Sequence, residues 1–340
     1  MSLKTEIHSN IVRHMDRFLI PDKETYHGLF ISDIHRQNSY SSRLCGKCTL
    51  EYSTSEGDVN KRIFWVKRVN QPQIFFNELS TVWTKLEKAG LNQPITRPYW
   101  YDNRLGVVYI GNTEGISLLK KTLAQVLLGP LGSEGGLVQI YRKLGVWLSR
   151  FHTSLKSNQT IGLDEIIDRL QTALTRSSWL ALKEKNQLKL KLDFVQDTER
   201  MSLELVRTHN DFSLRNILVS GSRFGIIDWD AMVHPHMPDL APAWYEISFF
   251  LINLQSLLRF HPLASKKVIA SLKTEFLKGY FLGKPNKENE LESLLYVFTL
   301  RHFLGMDSDR ALPQIYRTNL GSRFVKMLRK ALLSGHPGLV

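Results

Sequence analysis

The sequence predicts a mixed α/β chain of two lobes, a small antiparallel-sheet lobe followed by a larger, mainly helical one. Three observations predict it. Alternating apolar stretches with the period of strands occupy the first third of the chain. Helical periodicity takes over from about residue 118. Within the helical part, one apolar hairpin is bracketed by oxygen-bearing side chains, Asp211 and Asn216 before it and Asp228 after it.

Composition sets the bounds. The 340 residues are 43% hydrophobic and 23% charged, as in globular proteins of ordinary makeup, and suffice for a single bilobal domain. No internal repeat or low-complexity segment is visible. The formal net charge of +13 points to an anionic partner, substrate or surface. Both cysteines, Cys45 and Cys48, fall in one predicted strand, where positions three apart face opposite sides. No further ligands stand at zinc-site spacing, so they read as reduced structural thiols. Residues 1–20 read as an amphipathic helix rather than a secretory leader. The most apolar stretch, 247–258, is too short and too polar to span a bilayer. The expected location is cytoplasmic.

After that first helix, residues 28–31, 42–52 and 62–69 read as strands, with a serine-rich hairpin at 35–42 between the first two. Hydroxyls such as Ser41 and Ser42, with backbone N–H groups, can cradle phosphate. In the third strand Lys67 lies among apolar residues and shares a face with Trp65. A helix opens at Asn70-Gln71-Pro72, with Glu78 inside its apolar stripe. Lys67 and Glu78 form a candidate ion pair. Arg68 is the competitor for the lysine, and the alternative for Glu78 is a solvated acid. Residues 95–101 and 105–110 read as another hairpin, and Gly111-Asn112-Thr113-Glu114-Gly115 as a loop before the helices. The lobe boundary falls there, giving an N-terminal lobe of 1–111 and a C-terminal lobe of 112–340. Helices are expected at 136–152, 163–174, 179–194, 244–259, 267–281, 290–305 and 322–333.

The chemistry concentrates in Thr208-His209-Asn210-Asp211-Phe212-Ser213-Leu214-Arg215-Asn216 and Ile226-Ile227-Asp228-Trp229. Residues 217–219 and 224–227 read as strands joined by Ser220-Gly221-Ser222-Arg223, a hairpin that returns Asp228 toward Asn216. A carboxylate and a carboxamide can share Mg2+, a hard cation that takes oxygen ligands. The second carboxylate, Asp211, is then available to orient a hydroxyl and accept its proton.

This segment resembles the kinase-like aminoglycoside phosphotransferase and choline kinase superfamily, whose pattern reads His-Gly-Asp-x4-Asn followed by Ile-Asp-Trp or Ile-Asp-Phe. The resemblance implies a two-lobed protein-kinase-like fold. It implies Asp211 as catalytic base and Asn216 and Asp228 as metal ligands, with His209 bracing the loop and Arg215 either facing the transferred phosphate or merely solvated. It implies ATP and Mg2+ as cofactors. Lys67, Glu78, Ser41, Ser42 and the loop around Asn112, whose backbone would meet adenine, then form the nucleotide side. It implies that Asp239 of Pro238-Asp239-Leu240-Ala241 anchors the catalytic loop. Asn210 stands where the family has glycine.

The expected function is phosphorylation of a small-molecule hydroxyl. A catalytically silent kinase-like binding protein usually lacks a base or metal ligand, and none is missing here. No interleaved aromatic and basic motif supports specific nucleic-acid binding. The C-terminal helix, with Arg323, Lys326 and Lys330 on one face, either packs on the helical lobe or makes weak contact with an anionic membrane surface.

Overall fold

The computed structural model describes residues 2–20, 23–32, 35–36, 44–128, 134–198, 201–233, 238–259, 266–283, 288–308 and 319–334. Its contacts separate two compact units. The first comprises residues 1–115 together with Gly225–Met237, and the second Ile116–Phe224 with Pro238–Val340.

The first unit is an antiparallel sheet of β1 (Glu24–Ile31), β2 (His35–Arg36), β3 (Leu44–Thr54), β4 (Val59–Arg68), β5 (Pro98–Asp102) and β6 (Val107–Gly111). The order is β1-β3-β4-β6-β5, with β2 beside β3. Alternation along β3 and β4 sends Cys48, Leu50, Phe64 and Val66 into a core shared with Ile7 and Ile11 of α1 (Leu3–Arg13). Burial pushes the Cys48 thiol up to about 12, so it stays an inert thiol. The side chain of Cys45, like Ser41 and Ser42 of the expected phosphate hairpin, lies outside the described residues. Helix α2 (Pro72–Lys88) starts with proline in its first turn, where a missing N–H leaves no bond unmade. Residues 225–237 join this unit through Ile226, whose N–H donates to the Pro94 carbonyl and whose own carbonyl accepts from Thr96 and Trp229.

The second unit is built on α3 (Leu118–Leu128), α4 (Glu134–Ser154), α5 (Leu163–Arg176), α6 (Leu182–Thr198), α7 (Ala243–Gln255), α8 (Lys266–Tyr280), α9 (Glu288–Ser308) and α10 (Asn319–Ser334). Short strands run among them, of which only the hairpin β10 and β11 was expected from the sequence. β8 (Lys156–Gly162), β9 (Ser202–Arg207) and β12 (Leu240–Pro242) form one sheet, and β7 (Ile116–Ser117) pairs with β10 (Ile217–Ser220), which neighbours β11 (Arg223–Ile226). Lys156–Gly162 has no apolar alternation, and Leu240–Pro242 ends in proline, so neither carries a strand signal. Helix α10 docks by its apolar face: Leu328 and Leu332 are buried, and Arg329 forms an ion pair with Glu184 of α6. No helix among the described residues is long and apolar enough to cross a membrane.

Helices α4 and α8 meet backbone to backbone through Gly145 and Gly279. A Cβ at Gly145 would overlap the Phe276 carbonyl oxygen and stand 2.7 Å from the Tyr280 amide nitrogen. Backbone cannot rotate out of the way, so Gly145→Ala must force the helices apart. Such overpacking costs roughly 3 kcal/mol. The expected result is a lowered urea midpoint at unchanged slope. A variant with the wild-type midpoint would show that the helices do not cross in this way.

Candidate active site

The loop 208–216 is fixed in the second unit from below and from the side. From below, Phe212 is fully buried in a ladder of rings, 6.2 Å from Trp147 of α4 and 5.4 Å from Phe250 of α7, which lies 4.3 Å from Phe276 of α8. From the side, the buried Glu246 of α7 accepts the His209 N–H at 2.8 Å and the Asn210 N–H at 3.1 Å, both through Oε1. Its Oε2 accepts Nε2–H of His152 at 2.9 Å, and His152 Nδ1 then accepts the Tyr280 hydroxyl at 2.9 Å. Burial raises the pKa of that hydroxyl, which keeps its proton for the bond.

Asn210 adopts φ 66°, the left-handed region that glycine enters freely and asparagine next most easily. Its side chain stabilises the turn, accepting from the Thr208 hydroxyl at 2.8 Å and donating to the Pro238 carbonyl at 3.1 Å. The replacement of the family glycine thus keeps the loop shape. The Asp211 N–H donates to His209 Nδ1 at 3.2 Å, so His209 braces the loop and does not face outward. Asn216 donates its amide to the Asp211 carbonyl at 3.0 Å and to Asp211 Oδ2 at 2.8 Å. The carboxamide oxygen of Asn216 therefore points away from Asp211. Arg215 is exposed.

A second cluster belongs to the first unit. Lys67 Nζ lies 2.5 Å from Asp228 Oδ1 and 2.7 Å from Asp230 Oδ1. Burial disfavours the ammonium, but the two carboxylates outweigh it and hold the lysine pKa above its ordinary value. Asp228 itself has φ 64°. Two carboxylates against one ammonium leave a net negative charge, and their oxygens suit a hard cation. Among the described residues, no cluster of three or more His, Cys, Asp or Glu side chains stands at metal-binding spacing.

The model of the phosphotransferase enzyme family matches residues 82–256, half of the chain, including both motif segments. The chain belongs to that family. No sequence among the curated proteins matches it. Among solved structures, a glucosamine kinase is similar at 13% identity and a TM-score of 0.52, covering 93% of this chain and 96% of its own. An amicoumacin kinase in complex with AMP-PNP, Ca2+ and Ami is similar at 14% identity and a TM-score of 0.50, covering 98% and 97%. These likenesses show the kinase-like fold, and the family makes the protein a phosphotransferase enzyme of the small-molecule kinase kind.

Two expectations for this phosphotransferase need correction, the partner of Lys67 and the anchor of the loop. Lys67 is buried on β4, where Arg68 is exposed. Its carboxylate partners are Asp228 and Asp230 in place of Glu78, which sits half-buried on α2. Loop anchoring falls to Glu246 and not Asp239, which is exposed. Asn112 is engaged by the sheet, its N–H donating to the Ile63 carbonyl at 3.2 Å and its Oδ1 accepting from Trp65 at 2.9 Å. Sequence reasoning missed Glu246 and Asp230. The second could have been found by its place two residues beyond Asp228; the first carries no local signal.

Removing Glu246 orphans two buried loop amides, at about 1–3 kcal/mol for each unsatisfied donor. Glu246→Ala should therefore lower the denaturation midpoint and also the turnover number. Glu246→Gln, which keeps an acceptor, should recover most of both. Equal behaviour of the two variants would mean that acceptance by Oε1 is not what holds the loop.

Lys67→Ala should reduce transfer by roughly 10²–10³-fold, the scale of losing one electrostatic contact to a reacting group. Arg68→Ala should stay near wild type. Steady-state kinetics of both decides, and the reverse ranking would assign the role to Arg68.

Proposed function

We propose that the protein transfers the terminal phosphoryl group of ATP, with Mg2+, to a hydroxyl of a small molecule. The reading rests above all on Asp211, a half-buried carboxylate fixed through Oδ2 by Asn216 on a loop whose His209 and Asn210 amides are held by Glu246. A base held this way meets the acceptor in one orientation, which is where proton-transfer catalysis gains. Asp211 orients the hydroxyl and takes its proton as the oxygen–phosphorus bond forms. Asn216, through the oxygen turned from Asp211, and Asp228 would hold Mg2+, which would neutralise phosphate charge. Lys67, held by Asp228 and Asp230, supplies a fixed positive charge to the phosphates. Arg215, which is exposed, would either contact the transferred group or stay solvated. Ser41, Ser42 and the loop at Asn112 complete the nucleotide side in this reading.

Asp211→Asn should lower turnover by roughly 10²–10⁴-fold, the usual contribution of a general base, and leave nucleotide affinity nearly unchanged. Asp228→Ala should weaken Mg2+-dependent nucleotide binding instead. Fluorescence titration with Mg-ATP and coupled detection of ADP over a panel of hydroxylated acceptors separate the two effects. Wild-type turnover by Asp211→Asn on a verified acceptor would sink the mechanism.

A further inference from the structure

The second unit contains a cavity of about 740 Å³, within the size range of small-molecule sites. It lies among α5, α9 and the β8-β9-β12 sheet, and its charged lining is Arg169, Arg176, Arg301 and the single carboxylate of Glu165. Glu165 is engaged by Arg169, one turn along the same helix. The wall as a whole therefore carries excess positive charge.

Arg301 is the decisive residue. Its guanidinium lies 4.2 Å over the ring of Tyr245, and its Nη1 is buried with no hydrogen-bond partner. No carboxylate among the described residues pairs with it. Burial, and after it the like charge of Arg169, pull its pKa below the ordinary guanidinium range, with Tyr245 offsetting part of the effect. A half-buried guanidinium with a buried, unmet N–H and no counter-charge among the described residues is suited to an anion. A second unmet donor stands in the same wall: Ser177 is 7% exposed and its hydroxyl has no partner. Guanidinium forks and a hydroxyl are the donor set that binds a carboxylate or phosphate group.

The cavity also adjoins the base. Pro238 lines it and accepts the Asn210 side chain, one residue before Asp211. Tyr245, beneath Arg301, lies within electrostatic reach of Asp211. We infer that this cavity is the acceptor pocket and that it takes a hydroxylated small molecule bearing an oxyanion, a carboxylate or phosphate, bound by Arg301 with Ser177, Arg169 and Arg176. The inference rests on the phosphotransfer reading above and narrows its acceptor to anionic compounds.

The test uses the full chain and four matched probes: glucosamine, glucose, gluconate and glucose 6-phosphate. Binding is measured by calorimetry without nucleotide, and transfer by ADP release. Gluconate or glucose 6-phosphate should bind at least tenfold more tightly than glucose and glucosamine. Arg301→Gln should erase that preference, and Arg301→Lys, which keeps charge but loses the fork, should restore part of it. Should Arg301→Gln fail to fold, Arg176→Glu at an exposed site should still weaken the anionic probes severalfold. Stronger binding of glucosamine, or anion binding untouched by the Arg301 and Arg176 substitutions, would overturn the inference. ADP release with a neutral or cationic acceptor and no arginine dependence would overturn the pocket and leave phosphotransfer standing. Arginine-dependent anion binding with no ADP release on any acceptor would overturn phosphotransfer and, with it, the pocket's role as acceptor site.

Discussion

A single buried carboxylate holds the catalytic loop in place. Glu246 accepts two consecutive loop amides on one oxygen and the His152 imidazole on the other, and His152 is in turn met by Tyr280. Each of these polar groups would be expensive to bury alone. Together they satisfy one another, so the loop backbone has one low-energy arrangement. The arrangement depends on α4 and α8, which supply His152 and Tyr280. Those helices approach closely only because Gly145 and Gly279 present no side chain. A packing constraint between helices thus reaches the orientation of Asp211 through three side chains.

Lys67 illustrates a different balance. Its ammonium is buried and would lose its proton more readily if alone, yet two aspartates raise its affinity for that proton. Such a group is a permanent charge at working pH. The surplus carboxylate charge around it suits a cation arriving with a nucleotide. Both aspartates lie in Gly225–Met237, which packs with the first unit although the chain reaches it from the second. Strand β11 carries the chain across that division.

The sequence made some of this legible and hid the rest for physical reasons. Asp211 and Asn216 could be paired because five residues of loop keep them close whatever surrounds them. The sheet strands were readable from alternation, and Lys67 from its place among apolar neighbours. Its partner was not readable: Glu78 and the Asp228–Asp230 pair were all available acids, and only tertiary packing chooses between them. Asp239 was expected to anchor the loop from a family pattern, but its side chain is exposed and the neighbouring Pro238 contributes its carbonyl instead. Glu246 looked like an ordinary acid in a helix's first turn. Nothing local distinguishes a carboxylate that will be 1% exposed from one in solvent. Asn210, a departure from the family pattern, proved to be the residue best able to stand in for glycine at positive φ.

The electrostatics of the second unit then become coherent. The proposed base, Asp211, is a carboxylate, and the charged lining of the cavity is mainly basic. A cationic acceptor would gain little from Arg301, whose buried Nη1 lacks a hydrogen-bond acceptor. An anionic acceptor would offset the arginine charge on one side while presenting its hydroxyl to Asp211 on the other. Repulsion between its oxyanion and Asp211 would keep the two ends of such a molecule from exchanging places. The same charges that bind the acceptor would therefore also set its direction, and direction is what a fixed base requires.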